Sequence, residues 1–434
     1  MKISIQTLGC KVNQYDSQEI SENLIRHGHT IVSENADAYI VNSCTVTAES
    51  DRKTRQLVRK IKRNNPGSIV LLTGCMPQAF PNLGEELLEA DIVIGNRSNS
   101  QIPTLLENYS SRYFAVSPHL RTDSYTGGIV QNFDGHTRAF VKIQDGCDRF
   151  CSYCAIPYAR GRSRSKPFEL IAQELRGIAE NGYKEVVFVG INLSAYGMDI
   201  PDEKLNLASV VELAQNTEGI ERIRLGSLEP DHITQKMLSD LRKNSKFCPQ
   251  FHISLQSGCD KILKKMNRHY TAEQYAELCE NIRNTFPDAT ITTDIICGFP
   301  GENEEDFAET IAFAEKIKLD KTHIFPYSRR PGTPADKLPS QVENAIKDSR
   351  CARLNEVCEN SRREFMENMI GQTVDVLFEA PDEDVQKGYT KNYIPVFVKT
   401  NKNLIGKIEK VVIKSYNNDT LMGELHHVDE KISQ

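Results

Sequence analysis

No apolar run in this 434-residue chain approaches the roughly 18 residues needed to cross a membrane, so no membrane attachment is expected. The first residues, Met1-Lys-Ile-Ser-Ile-Gln-Thr-Leu-Gly-Cys10, alternate like a strand and lack the apolar core of a signal peptide. The expected compartment is therefore the cytoplasm. There a disulfide framework is disfavoured, and the 12 cysteines read as metal ligands and buried thiols. A basic surplus is also missing. With 53 Lys and Arg against 59 Asp and Glu the net charge is −6, so any nucleic-acid binding must rest on local patches. The composition that remains, 39% hydrophobic and 26% charged, describes a soluble globular chain of about three domains.

What is present is cysteine in an ordered pattern. Cys147-Asp-Arg-Phe-Cys151-Ser-Tyr-Cys154 offers three thiolates that can hold three irons of a [4Fe-4S] cube and leave the fourth iron open to a substrate-like ligand. Four Cys ligands would instead make an electron-transfer centre. Three more cysteines, Cys10, Cys44 and Cys75, fall just past three predicted strands of an alternating β/α region at residues 1–120. Those strands are Lys2–Thr7, Ala38–Asn42, Ser68–Thr73 and Asp91–Ile94, with a helix over Asp16–His27 capped by Asp16 or Ser17 and stopped by Gly28. The pattern predicts a doubly wound parallel sheet, which binds ligands at the carboxyl ends of its strands, where the three thiols could converge. Taken without the first motif, they could equally be three unrelated buried cysteines.

A linker over Tyr109–Phe133 separates this region from a second alternation at residues 135–365. Its strands fall at Ala139–Gln144, Glu185–Val189, Arg222–Leu225, Phe251–Gln256, Thr290–Ile296 and His323–Tyr327, with helices such as Phe168–Glu180 and Glu304–Ile317 between them. Six such units predict a partial (β/α)6 barrel with its site at the carboxyl ends, beside the Cys-rich loop. Residues 369–430 change to short β runs, Thr373–Glu379, Ile394–Lys399, Lys407–Lys414 and Leu421–His426, as in a small OB-like barrel. Cys248, Cys259, Cys279, Cys297, Cys351 and Cys358 have no ligand spacing and read as buried thiols.

These features together resemble the methylthiotransferase family of the radical S-adenosylmethionine (SAM) superfamily, over essentially the whole chain. The resemblance rests on Leu8-Gly-Cys-Lys-Val-Asn-Gln-Tyr-Asp-Ser17, Ser43-Cys-Thr-Val, Gly74-Cys-Met-Pro-Gln, Cys154-Ala-Ile-Pro-Tyr-Ala-Arg-Gly-Arg-Ser-Arg-Ser165, Leu255-Gln-Ser-Gly258, Asn267-Arg-His-Tyr-Thr271 and Asp294-Ile-Ile-Cys-Gly-Phe-Pro-Gly-Glu302. The C-terminal segment is similar to a TRAM module, an RNA-binding barrel. The resemblance implies two [4Fe-4S] clusters. One, on Cys147, Cys151 and Cys154, cleaves SAM to a 5′-deoxyadenosyl radical; the other, on Cys10, Cys44 and Cys75, carries sulfur. A second SAM methylates that sulfur, and the substrate of the tRNA members is C2 of a modified adenosine at position 37, beside the anticodon. A loop base of this kind can be unstacked into a barrel mouth. A reducing electron donor such as flavodoxin or ferredoxin is implied as well.

For SAM, the resemblance points to Tyr153 near the adenine, backbone at Gly190, Glu229 at the ribose, Arg268 at the carboxylate, and Gln256 with Gly298 to Gly301 lining the pocket. The second barrel strand ends Val189-Gly-Ile-Asn192 and lacks the Gly-Gly-Glu that many superfamily members aim at the SAM amino group; Asn192 stands in that place. For RNA, Arg52 to Arg63 carries seven cations in twelve residues, including Arg59 and Arg63, with Leu57, Val58 and Ile61 on its other side. A second patch contains Arg160, Arg162 and Arg164; the third is Lys387 to Lys414, with seven Lys against Glu409. Asn13, in the first family motif, is also placed with the substrate residues. A charge run is otherwise an ordinary solvated face.

Three substrates fit the family: threonylcarbamoyladenosine in tRNA, isopentenyladenosine in tRNA, and an aspartate of a ribosomal protein. The opening motif and the Arg160-Gly-Arg-Ser-Arg run look like the threonylcarbamoyl branch. A guanidinium at Arg162 or Arg164 could bind the threonylcarbamoyl carboxylate, whereas isopentenyl offers only hydrocarbon. A non-enzymatic Fe–S or RNA-binding protein would need neither open iron nor SAM site.

Overall fold

The computed structural model describes residues 1–426 except Asp134, Glu203 and Glu383; residues 427–430 of the expected C-terminal module lie outside the described residues. No helix among the described residues is long and apolar enough to cross a membrane.

The first body is a six-stranded sheet of β1 (Lys2–Thr7), β2 (Thr30–Ile31), β3 (Ala38–Ser43), β4 (Ile69–Gly74), β5 (Ile92–Ile94) and β6 (Tyr113–Ala115). Every neighbouring pair is parallel, in the order β2-β1-β3-β4-β5-β6. Successive residues of β3 face opposite ways. Ala38 and Ile40 pack with Ile20 and Leu24 of helix α1 (Lys11–Arg26), while Tyr39 and Val41 pack with Val58 and Ile61 of helix α2 (Ala48–Asn64). The sheet is thus doubly wound. Its strand order reverses between β1 and β3, which opens a crevice at their carboxyl ends.

Two expectations change here. Helix α1 starts at Lys11, capped by Cys10 in extended conformation, instead of at Asp16 or Ser17. Those two residues are buried inside the helix, where their side chains bond other elements: Asp16 to Arg160 and Ser17 to Asn42. The segment expected as a linker contains β6, and its later residues Val130 and Phe133 are buried in the main core.

The second body holds β7 (Arg138–Lys142), the short antiparallel pair β8 (Gln144–Asp145) and β9 (Arg164–Ser165), then β10 (Glu185–Val189), β11 (Arg222–Leu225), β12 (Ser227–Leu228), β13 (Gln250–Ile253), β14 (Thr290–Cys297) and β15 (Lys321–Pro326). Two parallel sheets, β11-β10-β7 and β12-β13-β14-β15, continue one another because only Gly226 separates β11 from β12. The result is a partial (β/α)6 barrel. The first body sits across its carboxyl ends, tied by Lys142 to Asp16 at one side and by Arg330, which donates to Thr45 at 2.9 Å and pairs with Asp51 at 2.5 Å, at the other.

A 25-residue helix, Asn344–Asn368, leads to the third body, a closed barrel of β16 (Thr373–Asp382), β17 (Val385–Thr390), β18 (Pro395–Lys399), β19 (Ile408–Asn417) and β20 (Thr420–Leu425). Strand β17 was not anticipated, since its Gln386, Lys387 and Gly388 hide the alternation. The turn after β17 docks at the amino ends of the central strands. Arg222 donates to the Tyr389 and Asp375 carbonyls at 3.0 Å, Thr290 to the Asn392 carbonyl at 2.6 Å, and Lys391 to the Ser245 carbonyl at 2.7 Å. Part of the Lys-rich half is therefore committed to docking. Lys399, Lys402, Lys407 and Lys410 remain exposed.

Candidate functional site

Cys10, Cys44 and Cys75 follow β1, β3 and β4 and meet at the crevice. Two glycines make the approach possible. Gly9 has φ +126°, and a Cβ there would lie 3.0 Å from the Cys44 Cβ; Gly74 has φ +98°, and a Cβ there would lie 2.4 Å from the Ser43 nitrogen. Only glycine lets both loops close. Asn13 does not face solvent: it is 1% exposed, accepts from the Cys10 thiol at 3.4 Å and donates to the Ser43 carbonyl at 2.9 Å. This corrects its expected place among the substrate residues; it holds the Cys10 loop to the end of β3.

The second correction is Arg160, which was expected on a basic patch facing RNA. It is 2% exposed and lies between the two cysteine sets. Its Nε donates to the Cys75 Sγ at 3.4 Å, its guanidinium pairs with Asp16 at 2.7 Å and with both Asp145 oxygens at 3.2 Å, and Asp145 stands two residues before Cys147. Lys142 completes the network by pairing with Asp16 and lying 3.7 Å from Asp145. Burial alone would raise the Asp145 carboxyl, but Arg160 and Lys142 outweigh it and hold it well below the usual carboxylate range.

The Cys147 loop is shaped by backbone donors to its sulfurs. The Arg149 nitrogen donates to Cys147 at 3.5 Å and the Ile156 nitrogen to Cys154 at 3.4 Å. Arg268 donates to the Cys151 Sγ at 3.3 Å, so each set has one guanidinium on one sulfur. Burial, reinforced by neighbouring thiols, pushes Cys147 and Cys154 up to about 12, and burial pushes Cys75 up to about 12. Such thiols ionise at neutral pH only when a metal centre supplies the compensating charge. N–H donors and guanidinium groups aimed at sulfur suit thiolates bound to a cluster. Among the described residues no three Cys, His, Asp or Glu side chains close on a single metal ion. A cube's ligands sit at separate corners, and the donor set fits that group.

Several residues expected at the SAM site come together beside Cys151. Arg268 pairs with Glu229 at 2.6 Å, donates to the Ser254 carbonyl at 3.0 Å and bonds the Tyr270 hydroxyl at 2.8 Å. Asn192 is buried with its Oδ1 unpartnered among the described residues, and its backbone nitrogen donates to Gln144 at 2.8 Å. Gly190 packs against that same Gln144, 3.0 Å from the position a Cβ would take. Gln256, at φ +71°, joins the end of β13 to β14 by donating its backbone nitrogen to the Asp294 carbonyl at 2.8 Å. Tyr153 packs in a small core with Phe299 and Tyr327, and burial keeps its phenol well above its ordinary range.

Gly298 and Gly301, expected to line the SAM pocket, stand in the segment that follows β14, both at positive φ. Their open sides face Lys347 and Lys265, at 2.4 Å and 2.7 Å from a built Cβ, and the Gly298 nitrogen donates to Glu302 at 2.7 Å. They shape a turn. Arg164 is likewise drawn inward: it is 7% exposed and donates to the Arg162 carbonyl at 3.0 Å, so it does not form an RNA-facing surface. Arg162 stays out, its side chain 39% exposed, paired with Asp148 at 3.0 Å and lying over the Phe150 ring.

On α2, Thr47 caps the helix, Val58 and Ile61 face the core, and Lys53, Arg59, Lys60 and Arg63 are exposed. Arg59 pairs with Glu89 at 3.1 Å, and Lys62 turns inward to Asp91 at 2.7 Å. Cys248, Cys259, Cys279 and Cys297 are buried, and Cys351 and Cys358 are half-buried on the long helix.

Sequence reasoning missed the contacts that join the two cysteine sets. Arg160 and Asp16 are 144 positions apart, and no local pattern connects them. The available hint was proximity: Arg160 follows Cys154 by six residues.

The chain matches the family model described as the radical SAM superfamily over residues 141–314 and that of uncharacterized protein family UPF0004 over residues 2–95. It is 38% identical to the threonylcarbamoyladenosine tRNA methylthiotransferase MtaB of Aquifex aeolicus, over 95% of this chain and 100% of that one. The protein of the same name in Bacillus subtilis is 35% identical, over 95% of this chain and 93% of that one. A tRNA-2-methylthio-N(6)-dimethylallyladenosine synthase of a Thermoanaerobacter species is 36% identical, over 98% of this chain and 92% of that one. Among solved structures, the radical SAM methyltransferase TsrM from Kitasatospora setae superposes with a TM-score of 0.58 at 12% identity, over 89% of this chain and 80% of that one, a likeness of fold.

Proposed function

The chain belongs to the methylthiotransferases of the radical SAM superfamily, and on that premise we propose that it transfers a methylthio group to C2 of N6-threonylcarbamoyladenosine at position 37 of tRNA. It is an enzyme that uses SAM and a [4Fe-4S] cluster. The finer assignment puts that cluster on Cys147, Cys151 and Cys154 and a second on Cys10, Cys44 and Cys75. When bound, the first supplies reductive cleavage of SAM and the second supplies the sulfur, with another SAM as methyl donor. The observation that carries this reading is Arg160, buried against Cys75 on one side and against Asp145, beside Cys147, on the other. A single buried side chain touching both loops fits two centres that act on one substrate.

The remaining side chains divide the work. Arg268 and Glu229, paired with each other beside Cys151, suit the SAM carboxylate and ribose hydroxyls respectively. The buried acceptor of Asn192 suits the SAM amino group, which would satisfy an oxygen otherwise left without a partner. Arg162 suits the threonylcarbamoyl carboxylate. Its current partner, Asp148, is itself a half-exposed carboxylate, and an exposed ion pair of this kind is worth only about 0–1 kcal/mol, so exchanging it costs little. The exposed face of α2, at Lys53, Arg59, Lys60 and Arg63, suits the phosphates of the anticodon stem-loop. A flavodoxin or ferredoxin in the cytoplasm completes the assignment as electron source. Mass spectrometry of nucleosides from cells with and without the gene tests it: the methylthiolated threonylcarbamoyladenosine should vanish on deletion, while methylthiolated dimethylallyladenosine stays.

A further inference from the structure

We propose that the cleft beside the Cys147 loop is a stacking slot for an unstacked nucleobase next to the base that is modified, an inference that rests on the tRNA reading above. The cleft encloses about 310 Å3. Phe150, Tyr158 and Arg162 wall it on the barrel side, and Leu120 and Arg121, from the segment between β6 and β7, wall it on the other. Three of these side chains are large, apolar and in water: Leu120 is 51% exposed, Phe150 38% and Tyr158 48%. Single exposed apolar residues are ordinary, but three converging on one cleft mark a contact surface. The Arg162 guanidinium lies 4.6 Å from the Phe150 ring centre, so an aromatic face and a planar cation are already stacked there. Bases add to such stacks whatever their sequence.

The backbone supports the slot independently. Phe150 sits at φ +48°, a region that bulky residues rarely enter. The Asn267 amide, itself on a residue at φ +59°, holds that turn by donating to the Arg149 and Phe150 carbonyls at 3.1 Å each. A strained turn is thus maintained with its aromatic ring in solvent. The opposite wall is fixed as well: the Leu120 nitrogen donates to Asp123 at 2.9 Å, and Arg97 reaches Asp123 at 2.8 Å and the Pro118 carbonyl at 3.2 Å. Both walls are set before anything binds, which lowers the ordering cost of binding. The charge selects the occupant. Arg121 and Arg162 line the cleft and no acid among the described residues does; Arg162 has its exposed pair with Asp148, so an apolar peptide would leave the Arg121 cation unanswered, whereas a base flanked by phosphates answers it. Phe150 directly precedes Cys151, which places the slot beside the reacting position.

The test is fluorescence titration of an anticodon stem-loop carrying 2-aminopurine on either side of the target adenosine, using the full-length reconstituted protein. Phe150→Ala, Leu120→Ala and Phe150→Tyr are compared with wild type at equal iron content. One flanking 2-aminopurine should be quenched by wild type and by Phe150→Tyr. Phe150→Ala and Leu120→Ala should relieve the quenching and weaken binding on the order of tenfold, the scale of one lost base stack. Leu120 lies outside the cysteine loop, so its variant separates stacking from damage to that loop. If wild type binds the stem-loop but quenches neither position, or if both alanine variants keep quenching and affinity, the slot is overturned while the tRNA reading stands. If wild type binds no stem-loop but binds a ribosomal-protein peptide, the tRNA reading and the slot fall together.

Discussion

Replacing Arg160 by methionine probes the network that joins the two cysteine sets. The side chain is 2% exposed and neutralises Asp16 at 2.7 Å and Asp145 at 3.2 Å, and among the described residues Lys142 is the only other cation paired with both. Without Arg160, one buried cation faces two carboxylates, Asp16 buried and Asp145 half-buried. Removing one partner of such a pair costs about 3–5 kcal/mol, because the charge left behind is uncompensated. The pH dependence has a definite sign. Asp145 is held well below the usual carboxylate range when folded, so its stabilising contribution is fully present above the unfolded value of about 4 and is lost as pH falls below it. The loss in Arg160→Met should therefore be full at pH 7 and shrink as pH drops through about 4. Anaerobic urea denaturation of the full chain at several pH values, followed by circular dichroism, reads it. A second readout separates this from general damage. Losing an N–H donor to the Cys75 sulfur should move the reduction potential of the centre there to a lower value, while the Cys147 centre stays put. A loss below about 1 kcal/mol at pH 7, or one that grows toward acid, would refute the reasoning.

Three other outcomes are expected. Cys151→Ala should abolish SAM cleavage and leave iron at the other set, whereas Cys44→Ala should deplete that other set while 5′-deoxyadenosine still forms; loss of the same iron in both would sink the two-centre assignment. Arg162→Lys keeps the charge but loses the planar fork, and because the side chain is 39% exposed the effect should be modest, about tenfold in kcat/KM for threonylcarbamoylated tRNA and none for unmodified tRNA. Reversing the charge of Arg59 and Arg63 together should flatten the salt dependence of tRNA affinity, and an unchanged slope would leave α2 an ordinary solvated face.

The strands were legible where burial is two-sided. Glu185–Val189 was read with its observed limits because a buried parallel strand carries a dense apolar run, here Val186 to Val189, and Arg222–Leu225 because Ile223 and Leu225 alternate with arginines. The start of α1 was not, because its cap is Cys10, which makes no side-chain capping bond, while Asp16 and Ser17 look like caps and are buried instead. Strand β6 has only three residues and depends on pairing with β5 for its existence. At the site, the placement of cysteines at strand ends followed from topology alone. The roles of the arginines did not. Arg160, Arg162 and Arg164 are equivalent in a charge count, yet the first is buried in an ion network, the second is half-exposed and the third is folded into its own loop. Only long-range partners, such as Asp16 for Arg160 and Glu229 for Arg268, decide between those fates.

The most direct test of the proposed activity is turnover by the purified, anaerobically reconstituted protein with SAM, a low-potential reductant and three versions of one tRNA: threonylcarbamoylated, dimethylallylated and unmodified at position 37. Nucleoside mass spectrometry should find the methylthio group on threonylcarbamoyladenosine, and little or none on the other two. Methylthiolation of the dimethylallylated tRNA in preference, or 5′-deoxyadenosine formed with no methylthiolated nucleoside from any of the three, would contradict the assignment.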